Sequence, residues 1–297
     1  MAGRYQMFVE LIPNLARSLC DFGFVHTDRI SVISIENVLP DPAARRTTSL
    51  NLSMHSSAEL FNKGLQLKEN KDYRGAIESF HAAIQLQWNL TAAHIEQGNC
   101  ASLLGQHDRA LEFYSSAIET DQTCAIPYYN TGLTWLDLRN HEQAYAWFAR
   151  TIEIDRTYRL AYLRLAQLHA NALHDRSAIT LLIRAAQIEP KIAAPLVAAG
   201  TLYYKNTDTV RAVRCFEKAL RVDAWNTDAY YYLGFTYYRQ GDFARAVRSL
   251  SLAVNSDSSN KLARTLLKRA AKELQPKRVR TAPIQTDLFH ATARPVV

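Results

Sequence analysis

The side chains in this chain that could do chemistry are scattered rather than assembled. A zinc site needs cysteines or histidines at close spacing, yet Cys20, Cys100, Cys124 and Cys215 form no C-x-x-C pair. A metalloprotease helix places two histidines four apart, and HEQAY (141–145) lacks the second. Phosphate cradles need clustered glycines. Of the ten glycines, five recur at one phase of an internal repeat, Gly75 precedes a small-residue phase, Gly105 and Gly241 sit in turns, and only Gly3 and Gly23 remain. Neither a P-loop, a G-x-G-x-x-G nor a G-x-S-x-G elbow can be built from these. His107, His141 and His174 fall between predicted helices, where turn or surface roles suit them better than catalysis. We therefore expect no catalytic residue, metal ligand, cofactor or small-molecule substrate, and read the chain as a non-enzyme.

Charge is the second chemical resource, and it is unevenly placed. Residues 1–56 carry five basic and five acidic side chains, residues 57–260 carry 21 of each, and residues 261–297 carry nine and two. The whole excess of +7 thus lies at the C-terminal end, in Lys268, Arg269, Lys272, Lys277, Arg278, Arg280 and their neighbours. Such a segment reads as a solvated cap with a flexible end, as a contact for nucleic acid or anionic lipid, or as a lid over the body. No aromatics interleave the cations as base-stacking would require. The unclustered cysteines fit a reducing compartment. The apolar start MFVELIPNL is interrupted by Glu10, Pro13 and Arg17 before a signal core or membrane span forms. A soluble cytoplasmic protein is expected, with a nuclear location open.

What positions these groups is a repeat with a period of 34. Counting from Ser57, the eighth position is Gly64, Gly98, Gly132, Ala166, Gly200 and Gly234, and the twentieth is alanine in all six units, from Ala76 to Ala246. The twenty-fourth is Phe80, Tyr114, Phe148, Leu182, Phe216 and Leu250, and the twenty-seventh is Ala83, Ala117, Thr151, Ala185, Ala219 and Ala253. Glycine inside a helix costs about 1 kcal/mol against alanine, so five at one phase require close helix approach to offset them. Positions 4, 7, 11 and 24, such as Tyr230, Leu233, Tyr237 and Leu250, follow the spacing of a buried stripe.

The segments GLQLKENKDYRGAIESFHAAI (64–84) and YYLGFTYYRQGDFARAVRSLSLAV (231–254) carry a pattern that resembles the tetratricopeptide repeat family. The resemblance implies an all-α, right-handed α-solenoid of six antiparallel helix pairs with a C-terminal capping helix. The units are 57–90, 91–124, 125–158, 159–192, 193–226 and 227–260. The turns KDY (71–73), GQH (105–107), RNH (139–141) and GDF (241–243) separate helix A from helix B. The fourth unit departs most, with Ala166 at the glycine phase and LHD (173–175) in its turn, yet Glu189-Pro190 matches the family's closing proline. Residues 261–275 suit a cap, with Leu262, Leu266 and Ala270 as its apolar phases, and 276–297 a flexible basic tail. Residues 1–56 fall outside the repeat. They hold an amphipathic stretch from Tyr5 to Phe22, a strand-like ISVISI (30–35) and a linker.

In this family helix A lines a concave groove, mainly through positions 2, 5, 9, 12 and 13. Carried over, these give Ile95, Asn99, Tyr129, Leu133, Leu136, Leu163, Gln167 and Asn171, then Thr201, Tyr204, Lys205, Tyr231, Phe235, Tyr238 and Arg239. Tyrosines beside cations are suited to gripping a peptide. Some relatives hold a peptide's C-terminal carboxylate in a five-residue clamp, three of whose positions fall on Asn99, Asn130 and Arg164. The two lysine positions are Ile95 and Leu160, so a standard clamp is not expected. The function implied is an interaction scaffold or adaptor holding a peptide or helix in the groove. The alternative is a polyanion-associated factor in which the tail binds nucleic acid or membrane and the repeats recruit protein.

Overall fold

The computed structural model describes residues 48–86 and 90–275, with side chains from Ser57 onward. The stretches Tyr5–Phe22 and 30–35, and the tail residues Lys277, Arg278 and Arg280, lie outside it. Among the described residues there are thirteen helices and no strand: α1 (Thr48–Glu69), α2 (Tyr73–Gln85), α3 (Leu90–Leu103), α4 (His107–Thr120), α5 (Ala125–Asp137), α6 (His141–Ile154), α7 (Arg159–Asn171), α8 (Asp175–Ile188), α9 (Ala194–Lys205), α10 (Thr209–Val222), α11 (Thr227–Arg239), α12 (Phe243–Ser256) and α13 (Lys261–Leu274). Odd-numbered helices are of the A type and even-numbered of the B type. The first begins at Thr48, ahead of Ser57, because TSLNLSMHS contains no glycine or proline to stop it.

Local chemistry sets the breaks between helices. In every A–B turn the fifteenth residue of the repeat takes a left-handed conformation: Lys71, Gly105, Arg139, Leu173, Thr207 and Gly241, with φ between 58° and 80°. That single residue reverses the chain, and the next one caps helix B. Asp72, Asn140, Asp208 and Asp242 each accept the backbone N–H three residues on, at 2.9–3.0 Å, which satisfies one orphan donor of the helix. Gln106 and His174 fill the same place without a side-chain bond to the helix backbone.

Helices A and B then close on one another across a missing methyl group. A Cβ built on Gly64, Gly98, Gly132 or Gly200 would lie 2.4–2.6 Å from the ring of Phe80, Tyr114, Phe148 or Phe216, and one on Gly234 would lie 2.7 Å from Leu250 Cγ. The ring of helix B therefore occupies the volume an alanine would need. The alanines at position 20 and the small residues at position 27 have no exposed surface in any unit. They bring the backbones together where the rings do not intervene. Each enclosed ring contributes about 1.5–3 kcal/mol by burial. In the sixth unit Leu233, Tyr237 and Leu250 are buried as the stripe predicts, whereas Tyr230, at its edge, is half-buried.

Each helix packs on its neighbours in sequence, so the molecule is an all-α solenoid. Beyond that, A helices touch the next A helix, α3 with α5, α9 with α11 and α11 with α13, whereas no two B helices of the described residues approach as closely. The A helices therefore form the inner, concave layer. Helix α13 seals the last pair with Ala263, Leu266 and Ala270. Leu262 stays half in solvent, because it stands at an inner-face phase rather than on the packed stripe.

Candidate functional site

The inner layer divides into two parts of different chemistry. In the first, polar side chains of α1, α3 and α5 bond to each other. Glu96 is wholly enclosed, and its Oε2 receives Lys68 Nζ at 2.6 Å and Asn99 Nδ2 at 3.4 Å. Asn99 Oδ1 in turn accepts from Asn130 Nδ2 and from the hydroxyl of Tyr114, both at 2.9 Å. A ladder thus runs from the first A helix to the third, with Tyr114 of helix B tied into it. An enclosed carboxylate requires such donors, since burying it without them is very unfavourable. Burial pushes the neighbouring Cys100 thiol up to about 12, with Lys68 opposing, so the thiol stays protonated.

Asn99 and Asn130 are therefore brought together, as their phases suggest, but they are buried and bonded to each other. Arg164, also buried, donates from its Nε to the Tyr129 hydroxyl at 3.3 Å. Tyr129 is itself enclosed between Phe148 and Tyr158, with centroids 5.5 and 5.2 Å away. Leu133 and Ile95 are buried, Leu136, Leu163 and Gln167 half-buried, and Asn171 exposed. Lys68 and Glu96 escaped the sequence reading. The available signal was that Glu96 shares the sixth position of its repeat with Asn130 and Arg164.

In the second part, aromatic rings meet across α9 and α11. Tyr204 packs edge-on to Phe235 at 5.3 Å, Tyr231 stacks on Phe235 at 6.3 Å, and Tyr231 meets Tyr232 at 5.2 Å. Tyr238 packs against Phe243 at 5.6 Å. Phe235 is buried, Tyr204, Tyr231 and Tyr238 are half-buried, and Arg239 is exposed. Burial raises the Tyr204 phenol above its usual range, opposed by the Arg239 guanidinium that hydrogen-bonds it. Burial also raises Tyr231, with Tyr204 adding to the effect. Both rings are neutral, amphipathic surfaces near neutral pH. Thr201 is buried and bonds its own helix backbone.

Lys205 does not face outward as a free cation. Its Nζ lies 3.0 Å from both carboxylate oxygens of Asp175 at the start of α8, and Asn206 donates to the same carboxylate at 3.1 Å. On α13, Lys268, Arg269 and Lys272 are exposed. No group of three or more His, Cys, Asp or Glu able to hold a metal occurs among the described residues, and none of their helices is long and apolar enough to cross a membrane.

A tetratricopeptide repeat family profile matches residues 61–123 and 197–261, within both parts of the array. Among solved structures, YrrB, described as a TPR protein with an unusual peptide-binding site, aligns with a TM-score of 0.53 and 22% identity, over 65% of this chain and 99% of its own. The C-terminal part of a TPR repeat-containing protein from Cytophaga hutchinsonii aligns with a TM-score of 0.60 and 17% identity, over 77% and 92%. The pilF protein of Pseudomonas aeruginosa gives 0.56 and 13%, over 73% and 99%. No curated protein sequence matches at a significant level. A curved stack of helix pairs with an accessible inner face is the architecture of a protein-interaction scaffold. Residues 61–123 and 197–261 match the tetratricopeptide repeat family, and the described residues share that family's all-α solenoid fold.

Proposed function

We propose that this protein is an adaptor that grips an extended peptide or a helix of a partner protein on the concave face of its fifth and sixth repeats. The observation that carries this reading is the interlocked set Tyr204, Tyr231 and Phe235, which spans two A helices and whose tyrosines stay partly exposed beside Arg239. Rings already fixed by one another lose little entropy on binding and offer large contact area. YrrB, described as having a peptide-binding site, supports the same use of this architecture. The first three repeats offer less, since their inner polar groups bond to each other. The test is affinity purification with mass spectrometry, comparing the wild type with Tyr204→Ala/Tyr231→Ala/Tyr238→Ala, which spares the buried Phe235. Loss of specific partners is expected at a temperature where circular dichroism shows the variant still folded, its melting point being lowered by the lost ring packing, and an unchanged partner list rejects the reading.

A second reading rests on the basic C-terminal end, where the exposed Lys268, Arg269 and Lys272 of α13 are followed in sequence by Lys277, Arg278 and Arg280, the tail cations being needed for retention. Under it, a polyanion such as nucleic acid or an anionic membrane binds the basic end and the repeats recruit protein. Removing residues 275–297 separates the two. Retention on a polyanion at moderate salt is lost under the second, and partner capture survives under the first.

A further inference from the structure

Resting on the adaptor reading, we infer that the segment held by repeats five and six is acidic, with an apolar side chain seated on the Tyr204 and Tyr231 rings, which Phe235 supports from beneath, and its carboxylates on Arg239, Arg269 and Lys272. The inner-face phases of the seven A helices carry five cations: Lys68, Lys205, Arg239, Arg269 and Lys272. Lys68 is committed to Glu96 and Lys205 to Asp175. The remaining three are exposed, no carboxylate of the described residues forms an ion pair with them, and all stand on the adjacent helices α11 and α13. Acidic residues at the same phases are Glu69, Asp137, Asp228 and Glu273. Two of these lie in the first half of the array. Asp228 lies at the opposite end of α11 from Arg239, about 16 Å away at 1.5 Å per residue. Glu273 shares α13 with Arg269 and Lys272, so three cations stand against one carboxylate and a net positive charge coincides with the aromatic surface at one end of the groove, while Glu69 and Asp137 disfavour an acidic ligand at the other.

The dimensions agree with a short segment. Adjacent packed helices lie about 8–10 Å apart, so the path from α9 across α11 to α13 is about 20 Å. An extended chain covers that in about six residues at roughly 3.3 Å each. Arg239 reaches the Tyr204 hydroxyl, so the cation stands beside the ring where an anchoring side chain would sit. Guanidinium groups favour carboxylates in bidentate geometry. Leu262, half-exposed at the same face of α13, extends the apolar surface alongside Arg269.

The experiment is selection of a random displayed-peptide library, about eight residues long, on the full-length protein. Enriched sequences are expected to combine Asp or Glu with one aromatic or large aliphatic residue. Their affinity is expected to fall about tenfold or more in Arg239→Gln/Arg269→Gln/Lys272→Gln and to weaken with salt. Reversal to Arg239→Glu/Arg269→Glu/Lys272→Glu should shift enrichment towards basic sequences. These sites are exposed, and a melting curve verifies that both variants fold. Enrichment of neutral or basic sequences on the wild type, or affinity indifferent to the three cations, overturns the inference while leaving the adaptor reading standing. No enrichment at all, or enrichment unaffected by Tyr204→Ala/Tyr231→Ala/Tyr238→Ala, overturns both. Competition by single-stranded RNA or phosphatidylserine vesicles with equal dependence on the three cations overturns it in favour of a polyanion.

Discussion

The two ends of the concave layer share one backbone plan and use their polar groups in opposite ways. In repeats one to three, Lys68, Glu96, Asn99, Asn130 and Tyr114 bond to each other, so charge there serves cohesion. In repeats five and six and α13, partly exposed aromatic rings lie beside Arg239, Arg269 and Lys272, so charge there faces outward. An identical scaffold thus holds a closed half and an open half. The difference comes from a single enclosed carboxylate: Glu96 takes the donors that an incoming carboxylate would need.

The comparison can be broken most forcefully at Lys68. Replacing it by methionine removes the 2.6 Å cation from enclosed Glu96 and should cost about 2–3 kcal/mol. That is below the figure for a fully enclosed pair, because Lys68 keeps a fifth of its side chain in solvent (21%). Chemical denaturation measures the loss, and Lys68→Met/Glu96→Leu should recover most of it. An unchanged midpoint in the single variant would mean the ladder is not structural. Next is Gly98→Ala, whose Cβ falls 2.4 Å from Tyr114, a ring pinned by its bond to Asn99. Overpacking of about 1–3 kcal/mol outweighs the gain of up to about 1 in helix propensity, so a net loss of about 1–2 kcal/mol is expected in thermal melts.

In the open half the order of effects reverses. Arg239→Gln should weaken partner capture about threefold while changing stability by less than about 0.5 kcal/mol, as calorimetry and melting would show. If stability falls with affinity, the two halves are not distinct. The smallest effect is expected at Leu173, which is 75% exposed and left-handed with φ 61°. Leu173→Gly should stabilise by about 0.5–1 kcal/mol by relieving that conformation. Gly105→Ala, at the same place in the second turn, should destabilise by a similar amount.

The period of 34 was legible because the close approach of A and B helices is strict about side-chain size. Gly98 cannot hold a methyl against Tyr114, and the position-20 alanines have no room to grow. The histidines read as lying between helices were only partly so placed: His174 precedes α8, whereas His107 and His141 are the first residues of α4 and α6. The role of the inner polar residues was not legible. Asn99 and Asn130 stand at the phases expected, yet whether they face a ligand depends on Glu96 in the same repeat and Lys68 in the one before it. That convergence follows from how successive helices stack and leaves no trace in local spacing. The start of α1 was misplaced for a simpler reason, since a stretch outside the repeat carries no phase to mark it.

The glycine-and-ring seam has a consequence for how such a molecule changes over time. Since five of the six helix pairs close on the same omitted methyl, each unit offers its neighbours nearly interchangeable contacts. Gain or loss of one whole 34-residue unit in the interior therefore preserves both flanking seams. Length then becomes a property that can drift in whole steps, carrying the distance between the sealed end and the open end with it, while the chemistry at either end is left untouched.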